Sequence, residues 1–333
     1  MTKSIPSLQL ILLVFSYQFT FSQSGDLHYL DKDFMPCTKD SAFYFRTIEP
    51  HPDRTEKVFT STYYTNGRLE SSVTYLNNQL ILMEAFYRSF YENGNKKEEG
   101  FYNLGKPVGK WKKWYSNGQL AQNSFFEKTT YDYEEVKEEI IDQWDIDGAK
   151  LVSGGNGIGK IYHDDTLVIA ETGEYKNGFA VGLWTGYYPG GERQFEEIRK
   201  SGKKKGVSWD LEGNEFEYKK AEVQAEPEKG LDAFYKYIST GLTYPKGALM
   251  SDVEGRIFVV FMIEKNGKIG KVAVMGELSD AINKAAKRVL LNGPKWSAGK
   301  SRGMPTRQKL ILPVTYTIGD SESKDCNDCN RKF

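Results

Sequence analysis

The sequence predicts a mainly β protein with an α+β C-terminal domain: a stacked β-hairpin repeat sheet, then an antiparallel sheet packed with two helices. Three observations predict it. A glycine and aromatic pattern recurs through the first two-thirds of the chain. Asn-Gly pairs punctuate that pattern, as hairpin turns do. Near residue 231 the apolar spacing changes to a helix period, then a strand period, then both again. Composition agrees, because 21 Tyr, 19 Phe and 6 Trp supply residues that suit a pleated, half-buried surface. A chain of 333 residues is comfortable for two domains of about 100–200 residues each.

The first 22 residues read as a signal peptide. Lys3 supplies the positive end, Leu8 to Ser16 the apolar run, and Thr20, Ser22 and Gln23 a small-residue cleavage site. The run falls short of the roughly 20 apolar residues a spanning helix needs. A retained weak anchor is the alternative. Once the segment is cleaved no integral membrane span is expected, and the protein is placed in the periplasm or outside the cell. Residues 23–56 lead into the repeats.

Gly100-Phe-Tyr102-Asn-Leu-Gly105-Lys-Pro-Val108-Gly109-Lys-Trp111-Lys-Lys-Trp114-Tyr115-Ser-Asn117-Gly118 recurs without a gap as Gly173 to Gly191. The matching positions there are Tyr175, Gly178, Val181, Gly182, Trp184, Tyr188 and Gly191. Partial copies end in Asn66-Gly67, Asn93-Gly94 and Gly213. Each unit reads as strand, tight turn and return strand, with Asn-Gly expected to adopt positive φ at both positions of a type I′ turn. One hairpin is marginal in water. Stacked units would let Trp111, Tyr115, Trp184, Tyr188 and Trp209 cover one another in an aromatic layer. The units resemble MORN-type repeats of the bacterial variant over about residues 57–215, and that resemblance implies a scaffold or binding surface (the repeat domain is bounded at 57–218). Tyr131 to Ile141 reads as a charged helical or looped insertion. Residues 219–230 read as a solvated linker.

In residues 231–319, Leu231, Phe234, Tyr235 and Ile238 share a helix face, and Tyr244-Pro245 breaks the segment. The run Gly255 to Val274, with Asn266-Gly267 in its middle, predicts a hairpin. An amphipathic helix over 278–291 follows, with Ser279 as N-cap. A loop with Pro294 and Trp296 then leads to a strand, Arg307 to Ile318. This order, with Ala248, Gly255, Phe261, Ala286, Pro294-Lys-Trp296, Gly303-Met-Pro305 and Leu312-Pro313-Val314, is similar to the TonB C-terminal domain. The residues after Trp296 and at 278–280 depart from that family's pattern. The resemblance implies that the last strand offers an edge to a partner peptide, along Arg307, Gln308, Lys309, Leu310, Ile311 and Leu312. A strand lying wholly inside the sheet is the competing expectation.

Other signals carry little chemistry. Lys+Arg and Asp+Glu are both 45, so nothing favours nucleic acid as a partner. Gly154 to Lys160 has the glycine spacing of a phosphate loop, but Ile161 stands where a hydroxyl residue is needed and no helical pattern follows, so it reads as a glycine-rich turn between strands. His28, His51 and His163 show no metal-ligand spacing, and His163-Asp164-Asp165 reads as a loop tip. Lys203 to Lys205 and the acidic residues Glu134, Glu135, Glu138 and Glu139 read as solvated. No serine has a nucleophile-elbow setting. Cys326 and Cys329 could close as a disulfide in an oxidising compartment, or stay idle thiols, with Cys37 left odd. The polar tail follows residue 319.

No catalytic residue, metal or cofactor is expected. The leading expectation is a non-enzymatic cell-envelope protein that binds a protein or peptide, such as a segment of an outer-membrane transporter, by strand addition. A second is that the repeat surface holds an envelope protein or polymer, with the C-terminal domain only docking. A third is a TonB-like energy transducer, if the N-terminal segment stays as an anchor. The short apolar run and only 11 prolines argue against a periplasm-spanning arm.

Overall fold

The computed structural model describes residues 27–51, 54–76, 82–128, 136–164, 166–200, 202–275 and 278–318. The expected signal segment and the Cys326–Cys329 pair lie outside them. Two compact units form among the described residues. One takes 27–225 together with Ala298–Gln308, the other 226–297 together with 309–318.

The first unit holds a sixteen-stranded antiparallel sheet whose strands follow chain order. It begins with β1 (His28–Leu30), β2 (Tyr44–His51), β3 (Arg54–Tyr64), β4 (Leu69–Leu76), β5 (Leu82–Phe90) and β6 (Lys96–Asn103). It continues with β7 (Lys106–Trp114), β8 (Leu120–Phe126), β9 (Glu138–Trp144), β10 (Lys150–Ser153) and β11 (Asn156–Tyr162). It closes with β12 (Ile169–Lys176), β13 (Phe179–Tyr187), β14 (Arg193–Lys200), β15 (Lys203–Trp209) and β16 (Glu215–Tyr218). The sheet therefore starts within the expected lead-in.

Glycine explains how the repeat packs. The indole of Trp111 lies on Gly100 of the neighbouring strand, where an added Cβ would stand 2.2 Å from ring carbons. Trp184 lies on Gly173 in the same way, at 2.4 Å. The recurring first glycine is thus a seat for the tryptophan across the ladder. The rings do not cover one another as expected. Trp111 meets Tyr87, Tyr102 and Phe126, Trp184 meets Tyr175, and Tyr115 meets Tyr162.

The Asn-Gly turns also differ from expectation. Only Asn177-Gly178 has positive φ at both residues, 51° and 81°. At the other end of the hairpins the glycine alone does. There Gly94 N–H donates to Tyr91 O and Tyr91 N–H to Asn95 O, a type I turn closed by a glycine bulge. The asparagine serves by its side chain instead, since Asn93 Oδ1 accepts from Asn95 N–H at 2.9 Å. Asn66 and Asn117 repeat this.

Successive turns are tied in a ladder. The hydroxyl of Tyr64 donates to Phe90 O, Tyr91 to Trp114 O, Tyr115 to Trp144 O and Tyr188 to Trp209 O, at 2.7–2.9 Å. Asn93 and Asn117 add bonds to Ser116 O and Ile146 O.

One expectation fails in the middle of the sheet, where Tyr131 to Glu135, Glu134 among them, lie outside the described residues. Glu138 to Ile141 is not helix or loop but the start of β9. Its Glu138 Oε1 accepts from Lys113 Nζ, Gln122 Nε2 and Ser124 Oγ. A polar row crosses the strands there, pairing Ser89 with Glu98, Glu98 with Lys113, Lys113 with Gln122 and Gln122 with Gln143. Burial pushes the Glu98 carboxyl up despite Lys113. The glycine-rich turn between strands lies at Gly154-Gly155, joining β10 to β11, and the segment to Lys160 continues in β11.

Residues 219–230 are mostly exposed and the two units divide within them, between Ala225 and Glu226, but the segment is not without structure. They carry β17 (Glu222–Val223) and β18 (Glu226–Pro227), and Ala225 is buried. The second unit then follows the expected order: α1 (Gly230–Gly241), α2 (Lys246–Met250), β19 (Gly255–Ile263), β20 (Ile269–Met275) and α3 (Asp280–Leu291). Ser279 caps α3, its Oγ accepting from Ile282 N–H at 3.2 Å. Trp296 forms its centre, edge-on to Phe234 of α1 at 5.0 Å and to Phe261 of β19 at 5.7 Å. The expected loop holds short strands, β21 (Trp296–Ser297), β22 (Gly299–Ser301) and β23 (Met304–Thr306), before β24 (Gln308–Tyr316).

Candidate functional site

The C-terminal sheet has the order β20-β19-β24, which leaves β24 at an edge. Arg256, near the start of β19, donates to Thr315 Oγ1 near the end of β24, so the two strands run antiparallel. Pro313 fixes which groups face outward. Lacking an N–H, it fits a ladder only with its nitrogen turned to the open flank. Residues of the same parity, Lys309, Ile311 and Thr315, then turn N–H and C=O outward with it. Leu310, Leu312, Val314 and Tyr316 turn theirs to β19, and their side chains are fully buried. An incoming strand would meet donors at 311 and 315 and a gap at 313.

The expected edge residues divide into two groups. Lys309 to Leu312 lie on β24. Arg307 and Gln308 are already engaged in the first unit: Arg307 pairs with Asp33 at 3.6 Å. The Gln308 amide donates to Val223 O at 3.0 Å and accepts from Ala225 N–H at 2.6 Å. Burial pushes the Lys309 amine down to about 8.

Of the repeat aromatics, Trp111, Tyr115 and Trp184 are buried on the sheet, and Tyr188 is half-buried in the turn ladder. His163 does open a turn, as expected. Its role was not foreseen: Nε2 lies 2.9 Å from Tyr187 O, the bond a tyrosine makes elsewhere in the ladder. Cys37 is half-buried beside β1, its N–H donating to Tyr29 O.

A second constellation escaped the sequence reading. Arg302, at the turn of the β22–β23 hairpin, contacts Glu171 Oε1 at 2.9 Å and Glu197 Oε2 at 3.3 Å. Arg199 contacts Glu171 Oε2 at 2.7 Å and Glu197 Oε1 at 2.6 Å. Tyr218 donates to Glu197 at 2.8 Å. The two guanidiniums lie over the rings of Phe195 and Trp184, at 3.6 and 4.0 Å. Burial raises the Glu197 carboxyl, but Arg302 and Arg199 with the Tyr218 bond outweigh it and hold the group below its ordinary value. The backbone closes the same contact. Arg302 N–H donates to Ala221 O at 2.5 Å, and Arg302 O accepts from Ser208 Oγ at 2.6 Å.

Residues 240–318 match the family model of the Gram-negative bacterial TonB protein C-terminal. Residues 87–104 and 107–128 match that of the MORN repeat variant. The 173–191 copy lies outside the second match and yet repeats its tryptophan seat. No curated protein matches the chain. Both matched families are non-catalytic domains, and together they support a TonB-like protein-interaction role at the cell envelope. Among the described residues no helix is long and apolar enough to cross a membrane, and no group of three or more His, Cys, Asp or Glu is placed to hold a metal ion.

Proposed function

We propose that this is an exported cell-envelope protein that acts by binding, and that its ligand is an extended peptide of an envelope or outer-membrane protein added as a strand to β24. The observation that carries the reading is the position of β24 at the edge of a sheet in a TonB C-terminal-like unit. Main-chain bonds at 311 and 315 would supply affinity, and the gap at Pro313 would limit register. The repeat sheet is its scaffold. Titration of the whole protein with a panel of eight-residue peptides of alternating apolar and polar residues, followed by amide NMR, tests this. Shifts should concentrate at Ile311 and Thr315, and a panel that leaves those amides unmoved overturns the reading.

One observation favours a second reading. Phe86 and Phe101 pair edge-on at 5.3 Å while 40% and 52% exposed, a contiguous apolar patch on the repeat sheet. If the repeat surface holds the partner, Phe101→Ser in the full chain abolishes capture and Thr315 substitutions do not.

A further inference from the structure

The hairpin that precedes β24 belongs to the repeat unit, and its last residue, Gln308, is also the first residue of the strand. We infer that the Arg302 contact regulates the peptide edge: seated, the hairpin holds the first residues of β24 in strand geometry, and released, it lets them fray. The inference rests on the strand-addition reading of β24 and concerns what controls it.

The geometry is that of a clasp. Arg302 meets carboxylates from two strands of the repeat sheet, Glu171 of β12 and Glu197 of β14. Its backbone bonds to Ala221 and Ser208 fix the hairpin turn at the same place. Nearer the strand, β22 pairs with β17 at Ser301–Glu222 and Lys300–Val223, and the Gln308 amide replaces a backbone partner for Val223 and Ala225. An edge strand exposes half its main-chain groups, so its order depends on what fixes its ends. A peptide that adds to a strand already ordered avoids the ordering cost, and by linkage its binding must in turn favour the seated hairpin.

The test uses the full chain, with Arg302→Ala and the milder Glu171→Gln, which keeps Glu197 paired. Hydrogen exchange is read at Leu310 and Leu312, whose N–H groups face β19, and affinity is read with the tightest peptide of the panel. Exchange at both amides should quicken by about tenfold, and peptide affinity should fall by at least about fivefold, the lower end of coupling between linked sites. Unchanged exchange in both folded variants overturns the inference, whether or not any peptide binds. A panel in which nothing binds the natural protein, with exchange still accelerated, removes the strand-addition reading and leaves the clasp standing.

Discussion

His163 directs Nε2 at the carbonyl oxygen of Tyr187, 2.9 Å away, and so takes the place of a tyrosine in the ladder that ties one hairpin turn to the next. Nε2 must carry the proton to donate there. His163→Phe should lower stability by about 1 kcal/mol, the net worth of one such bond, while His163→Gln, which still donates, should recover part of it. Urea unfolding of the two variants checks this, with Tyr115→Phe as the reference loss.

The tryptophan seats predict overpacking. A Cβ at Gly100 or Gly173 would stand 2.2 or 2.4 Å from an indole. Gly100→Ala and Gly173→Ala should each cost about 1–3 kcal/mol, the usual range for forced side-chain movement in a packed site. Tryptophan fluorescence should report the displaced ring before global unfolding.

Arg302→Ala should destabilise the repeat unit by about 3 kcal/mol, the lower end for breaking a buried ion pair, because Arg199 still answers Glu197. The same site predicts an acid limb. A folded carboxyl held below its ordinary 4.5 binds fewer protons than the unfolded one. Its stabilisation is complete above that value and is lost as pH falls through the lower, folded value. Denaturation midpoints should drop below pH 4.5, and Glu197→Gln should flatten that drop.

Lys309 predicts the opposite limb. Burial lowers its amine from 10.5 to about 8, so between those values the unfolded chain holds more protons. Stability should therefore rise as pH climbs from 8 towards 10.5. Lys309→Met should remove that rise, read as the difference between the two proteins across the window.

Pro313 predicts a gain. Pro313→Ala restores a donor to the open flank of β24. Peptide affinity should increase, or the protein should begin to self-associate through the edge, as unprotected edges do. Analytical ultracentrifugation separates the two outcomes, and the absence of both would contradict the outward parity argued from the proline.

What the sequence made legible was local. The hairpin at Asn266-Gly267, the Ser279 cap and the order of helices and strands in the C-terminal unit depend on residues a few positions apart. So does the recurrence of glycine and tryptophan. Three features could not be read that way. Glu138 looked solvated because its partners, Lys113 and Ser124, come from other strands. Asn93 was credited with backbone freedom when it supplies a side-chain acceptor. Arg302 finds Glu197 across 105 residues, and no periodicity reports such a pair. His163 was within reach, since it precedes its turn as the ladder tyrosines precede theirs.

The in-order sheet has a consequence for the order in which the chain folds. Each strand from β1 to β16 pairs with its neighbours in sequence, so the array can assemble hairpin by hairpin. Glu197 cannot finish then. Its second guanidinium, that of Arg302, lies beyond most of the C-terminal unit, and until the β22–β23 hairpin seats, Arg199 answers Glu197 alone.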